Sequence, residues 1–217
     1  MIRFENLTKS FRIKGERRVV IDNLNLTLPT GRSLALLGRN GAGKSTLLQI
    51  IAGTMRADSG RIVSDGTISW PVGFGGSFHG ELTGAQNVRF IARIYGVDTQ
   101  ELMAFVEDFA ELGKSFYMPV RSYSSGMRSR LTFGASMGIH FDTYLVDEVT
   151  AVGDAAFKRK SRAVFADRMQ YCSAIMVSHS MSELRAFCDS GIVLENGQMQ
   201  YFDDLDEAIA MHQAIMG

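Results

Sequence analysis

The stretch GRNGAGKST, residues 38–46, sets three glycines, one lysine and two hydroxyls at a spacing suited to a polyphosphate. Gly38, Gly43, Lys44 and Ser45 fit the pattern GxxxxGK[ST]. Glycine lets successive backbone N–H groups converge on phosphate oxygens with no Cβ in the way. Lys44 places a point charge against the β- and γ-phosphates, and the Ser45 hydroxyl can ligate Mg²⁺. Asn40, Gly41, Ala42 and Thr46 complete the set expected against the phosphates. Such a loop needs an acid to hold the metal and a group to activate water. TYLVDEV, residues 143–149, ends an apolar run on Asp147 and Glu148, where a buried carboxylate is costly without a task. Asp147 is expected to face Mg²⁺ through water. Glu148, turned the other way by strand alternation, is expected to act as general base. MVSHS, residues 176–180, repeats the arrangement with His179, expected at the γ-phosphate. A second anion turn follows in RSYSSGMRSR, residues 121–130, where Ser-Ser-Gly opens a helix and offers N–H groups and hydroxyls.

These groups need elements to aim them. IRFENLTKSF and RRVVIDNLNLTL alternate as strands around a charged KGER turn, and RSLALLG is a short apolar run suited to a buried strand. Strand, glycine loop and the helix KSTLLQIIAGTM follow in the order that gives the loop its meaning. GRIVSDGTISW predicts a hairpin pair. From about 81 to 118 the chain reads as helical, with Leu102, Phe105, Val106 and Phe109 on one stripe and Thr99 as an N-cap. Beyond Arg121 helices alternate with the strands TYLVDEV, SAIMVSH and GIVLENGQM, which predicts a mostly parallel sheet with helices on its faces. The chain therefore reads as one α/β domain, 1–217. An N-terminal antiparallel β-subdomain and a parallel core share 1–80 and 119–217, and the helical stretch is an inserted subdomain.

Composition narrows the classes. Hydrophobic residues at 46% and charged residues at 21% suit a soluble globular protein. Net charge is zero, so no basic field argues for nucleic acid. Two cysteines, Cys172 and Cys188, point to free thiols in a reducing cytosol. The start carries no long apolar segment, and SLALLG and LLQIIAG fall far short of the roughly 18 residues that cross a bilayer. A role at a membrane then requires a membrane partner.

Taken in order (phosphate loop, helical insertion, Ser-Ser-Gly turn, acidic strand, histidine strand), these elements resemble the nucleotide-binding subunit of ABC transporters over essentially the whole chain. The resemblance implies the ABC type of P-loop NTPase fold, with ATP and Mg²⁺ as ligands. It further implies a homodimer in which each ATP lies between the phosphate loop of one subunit and the signature turn of the other. The family's turn reads close to LSGGQ; here YSSGM stands in its place, so Ser124, Ser125 and Gly126 would touch the partner's γ-phosphate. Phe11 matches the aromatic that stacks on adenine. AVGD matches the loop that touches the partner subunit, with Asp154 as its acid. One position departs: the family's glutamine should fall near Phe74, and Gln86 comes too late.

That departure narrows the resemblance. SWPVGFGGSFHGELTGAQNV, RSYSSGMRSRL and VDEVTAVGDAAFK look very like the ATPases of capsular polysaccharide exporters of Gram-negative bacteria. Phe74, Gly75, Gly76 and Phe78 would suit a groove that receives a helix of a membrane subunit. The resemblance implies a peripheral ATPase on the cytoplasmic face of the inner membrane, a dimeric polytopic permease, and periplasmic and outer-membrane components beyond it. O-antigen or teichoic-acid-type export is the nearest rival, though O-antigen exporters commonly add a carbohydrate-binding domain for which a chain ending at Gly217 leaves no room. A non-transport ABC ATPase is the more distant one.

Overall fold

The computed structural model describes residues 1–13, 15–73, 78–147 and 154–216. In chain order come β1 (Ile2–Ile13), β2 (Glu16–Leu28), β3 (Leu34–Leu37), α1 (Lys44–Ile51), β4 (Ser59–Ser64) and β5 (Ile68–Val72). Then follow α2 (Gly84–Tyr95), α3 (Thr99–Ala110), α4 (Ser125–Gly138), β6 (Thr143–Asp147) and α5 (Ala155–Arg168). The chain closes with β7 (Ser173–Val177), α6 (Met181–Phe187), β8 (Ser190–Glu195), β9 (Gln198–Phe202) and α7 (Leu205–Met216). Two compact units emerge: Met1–Pro71 with Phe141–Glu148 and Tyr171–Gly217, and Val72–His140 with Val149–Gln170. The second is wider than the insertion expected over 81–118, because α4 and α5 build their cores with α3.

The first unit holds two sheets. One is antiparallel in the order β2-β1-β4; the other has six strands in the order β5-β6-β7-β3-β8-β9. β3 pairs in parallel with both β7 and β8, and every residue of its LALL run is buried, as a strand covered on both faces requires. Leu36, Leu47, Leu145, Ile175 and Ile192 share one core with Phe4, Leu7 and Ile21 of the antiparallel sheet. Each such side chain contributes about 1.5–3 kcal/mol of transfer free energy.

Two strand expectations change. GRIVSDGTISW is no hairpin: β4 pairs with β1, whereas β5 lies beside β6 in the other sheet. Thr67 explains the crossing, because its N–H and hydroxyl both donate to the Asp142 carboxylate at 2.7 Å, and Thr143 N donates to its carbonyl at 3.1 Å. GIVLENGQM is two strands rather than one. β8 and β9 pair antiparallel across Asn196 (φ 48°) and Gly197 (φ 80°), the left-handed pair that a tight hairpin requires.

The second unit gathers around Phe109, whose ring lies 5.6 Å from Phe133 and 5.2 Å from Phe157. Phe105 stacks on it at 5.9 Å, so the predicted stripe of α3 does face the core. α4 can approach because Gly138 faces α3: a Cβ there would stand 2.4 Å from Leu102 Cδ1. Asp98, not Thr99, caps α3, accepting from the N–H groups of Gln100 and Glu101. A carboxylate one residue earlier reaches those donors, and Thr99 becomes the first helical residue. No helix among the described residues is long and apolar enough to cross a membrane. Neither Cys172 nor Cys188 forms a disulfide among the described residues, and burial pushes the Cys188 thiol up to about 12, which leaves it inert.

Candidate nucleotide site

The phosphate loop joins β3 to α1 and is clamped from two sides. At Gly38 (φ 154°) an added Cβ would stand 2.5 Å from the Leu194 carbonyl oxygen, and at Gly43 (φ 110°) it would stand 2.1 Å from Val20 Cγ1. Only glycine fits either place. Gly43 also caps α1, and no side chain covers that helix start. The orphan N–H groups of the first turn are therefore left for an anion, and no acidic residue in that turn opposes one. Lys44 arches back over the loop, its Nζ donating to the carbonyls of Gly38 at 2.7 Å and Arg39 at 3.1 Å.

A cavity of about 320 Å³ opens in front of this loop. Asn40, Gly41, Gly43, Lys44, Ser45 and Thr46 line one side, and Phe11 lines it from β1. Phe11 is half-buried, with Lys9 Nζ 5.2 Å from its ring centroid. Asp147 ends β6 in register with Val177 of β7, and both reach the same cavity. Ser45 and Asp147 thus bring a hydroxyl and a carboxylate into one space, a hard-oxygen donor set of the kind Mg²⁺ takes. Gly38 and Ala42 belong to the loop without lining this cavity. His179 lies exposed two residues beyond the end of β7, outside the lining, in the turn that leads to α6. Glu148 lies outside the described residues.

The Ser-Ser-Gly turn belongs to the second unit. Ser124 caps α4, accepting from Met127 N at 3.2 Å, so its hydroxyl is engaged within the helix. Ser125 is exposed at the first helical position, and among the described residues an added Cβ at Gly126 would approach only Ser124 Oγ, at 3.9 Å. Asp154 caps α5 through the N–H groups of Ala156 and Phe157 and pairs with Arg130 of α4 at 2.8 Å. The backbone N–H of Phe157, aided by Arg130, holds its carboxyl below the usual range. Arg130 in turn lies over the Phe157 ring, 4.4 Å from its centroid. Phe74, Gly75 and Gly76 lie outside the described residues, while Phe78 is half-buried. Gln86 forms a capping box with Thr83, a structural task at the start of α2.

A family model described as ABC transporter matches residues 21–151. The chain belongs to the ABC transporter family. Among curated relatives of this ABC cassette, the polysialic acid transport ATP-binding protein KpsT of Escherichia coli is 53% identical, covering 96% of this chain and 95% of the relative. The capsule polysaccharide export ATP-binding protein CtrD of Neisseria meningitidis serogroup B is 43% identical, covering 99% of this chain and 100% of the relative. Among solved structures, the ATP-binding cassette MJ0796, a dimer in a post-hydrolysis state bound to ADP and Pi, superposes with a TM-score of 0.76 at 20% identity. That superposition covers 94% of this chain and 99% of the other, and it establishes the fold.

Sequence reasoning missed three members of the ABC cassette's cavity, Val177 at the end of β7 and two from β2. Arg18 and Val20 line it from β2, and Arg18 Nη2 donates to the Gly41 carbonyl at 2.9 Å. Phe11 stands opposite Arg18 in the β1–β2 register, and positions 18 and 20 share a face by strand alternation. Arg18 brings a second cation to the loop, and Val20 is the wall that forbids a side chain at Gly43.

Proposed function

We propose that this ABC cassette binds and hydrolyses ATP and drives export of a lipid-linked capsular polysaccharide through a separate membrane permease. The observation that carries the chemistry is the convergence of Lys44, Ser45, Asp147 and Phe11 on one cavity behind an uncapped helix start. The names of the two relatives, each matched over nearly its full length, supply the cargo class. Phe11 offers a π-surface for adenine. The N–H groups from Asn40 to Thr46 and the Lys44 ammonium meet the phosphates, and Lys44 must leave the carbonyls of Gly38 and Arg39 to do so. Ser45 and Asp147 would hold Mg²⁺, which supplies charge compensation for the phosphates. Glu148 takes the proton of the attacking water and His179 orients the γ-phosphate, so that hydrolysis proceeds by in-line displacement.

The working form is a homodimer, in which Ser124, Ser125, Gly126 and Asp154 of one subunit complete the site of the other. ATP holds the two subunits together and hydrolysis releases them. The dimer works on the cytoplasmic face of the inner membrane against a dimeric permease, with periplasmic and outer-membrane components carrying the polysaccharide onward. Phe78 is the groove residue assigned to the permease: Phe78→Ala is expected to weaken membrane association while ATP binding persists.

The test is a pull-down of tagged Glu148→Gln protein with ATP-Mg²⁺ from gently solubilised native membranes. Recovery of a polytopic membrane protein in equal amount, together with loss of capsule on deletion of the gene, supports export. Recovery of soluble partners alone overturns it.

A further inference from the structure

α7 turns one stripe inward: Leu205, Ala208, Ile209 and then His212, at intervals of three, one and three residues. The first three are buried apolar side chains, and the stripe would continue as a fourth. An imidazole stands there instead, half-buried, with its Nδ1 sealed from solvent and no hydrogen-bond partner among the described residues. The helix lies hard against β8. A Cβ added at Gly191 would stand 2.4 Å from Ala208 Cβ and 3.8 Å from Leu205 Cδ1.

β8 leads from that contact to the back of the phosphate loop. Val193 pairs with Leu37, the last residue before the loop, and the Leu194 carbonyl sits against Gly38. Glu195 comes next. It lines a cavity of about 240 Å³ together with Arg39, Asn40, Gly41 and Ala42. Its Oε2 is likewise sealed from solvent with no hydrogen-bond partner among the described residues. Burial and then the Lys44 ammonium hold the His212 imidazole below its ordinary pKa, while the Glu195 carboxylate works in the opposite direction. Glu195 at the end of β8 thus stands beside the phosphate loop, and His212 stands on the helix packed against that same strand. A sealed carboxylate oxygen and a sealed ring nitrogen, each without a hydrogen-bond partner among the described residues, are destabilising in a place where a leucine would pack.

We infer that Glu195 and His212 are positioning residues for the phosphate loop, a polar wall through which α7 sets how firmly the loop holds nucleotide. By bracing the loop along Arg39, Asn40, Gly41 and Ala42, it holds the backbone N–H groups in place for the phosphates. The inference deepens the nucleotide reading above and rests on it.

The experiment compares ATP KM, kcat and thermal midpoint for the wild type, Glu195→Gln, Glu195→Asp and His212→Leu. Glu195→Gln and His212→Leu are each expected to raise KM about threefold to tenfold with kcat within about twofold. Glu195→Asp should recover most of the loss. His212→Leu completes the apolar stripe, so its midpoint should hold or rise while its KM worsens, a divergence that a merely structural role does not produce. Unchanged KM in both variants overturns the inference, as does a KM that worsens only in step with a falling midpoint. A wild type that neither binds nor hydrolyses ATP would instead overturn the nucleotide reading itself.

Discussion

Gly38 and Gly43 are both required as glycine, for different reasons, and the difference is measurable. Gly38 faces a backbone carbonyl, which cannot swing aside, so Gly38→Ala must displace the end of β8 or the loop itself. Its expected cost is about 1–3 kcal/mol of stability, read by denaturant unfolding, together with weaker ATP binding. Gly43 faces the Cγ1 of Val20, and here the neighbour can be shortened. Val20→Ala in a Gly43→Ala background should therefore recover part of the loss, leaving the left-handed strain as the remainder. Lys44→Ala is expected to lower ATP turnover by about a hundredfold or more, because the site loses its positioned charge at the phosphates. At this scale the sequence was most legible: the loop, Phe11 and Asp147 reach one cavity as their spacing implies. Arg18 and Val20 were missed because no pattern marks them. They belong to the site only through the β1–β2 register, which brings position 18 opposite position 11.

Among the elements, α3 shows how local signals can fix a helix and still misplace its end. The stripe Leu102, Phe105, Val106 and Phe109 was enough for the helix, while Asp98 and Thr99 are both capping residues and only geometry chooses between them. GRIVSDGTISW misleads for a deeper reason. Alternation reports that a segment is extended, but its partner is chosen by Asp142, some 75 residues away in sequence from Thr67. Phe109 is the centre of the second unit's core, and Phe109→Ala should cost about 3–5 kcal/mol in calorimetric unfolding. Asp154 gives that unit an acid-sensitive joint. Its folded pKa lies below its ordinary value of 3.8, so the stability it adds is fully present above that value and fades as pH falls through the lower, folded one. Asp154→Asn should flatten this part of the acid unfolding curve while leaving stability at neutral pH reduced.

For the whole molecule, the phosphate loop and the Ser-Ser-Gly turn lie in separate compact units, which suits the proposed site completed by a second copy. Ser125 is exposed and open to a larger side chain. Ser125→Arg in a Glu148→Gln background should keep ATP binding by the single subunit yet lose the ATP-held dimer, measured by light scattering at saturating ATP-Mg²⁺. A dimer that survives would move the second anion turn out of the proposed interface. Zero net charge is consistent with such a mode of assembly, since identical subunits meet without long-range repulsion.

The strand order also carries a consequence for how the chain is made. β3, which leads into the phosphate loop, has both of its neighbours, β7 and β8, more than a hundred residues further along. On a ribosome adding about 5–20 residues per second, that strand emerges on the order of ten seconds before anything can pair with it. The antiparallel sheet of β1, β2 and β4 can close early, but the nucleotide cavity cannot exist until synthesis is nearly complete. A nascent chain arrested before β8 should therefore be easily cut by protease around residues 34–46 and gain nothing from added ATP, whereas the released chain gains protection at once.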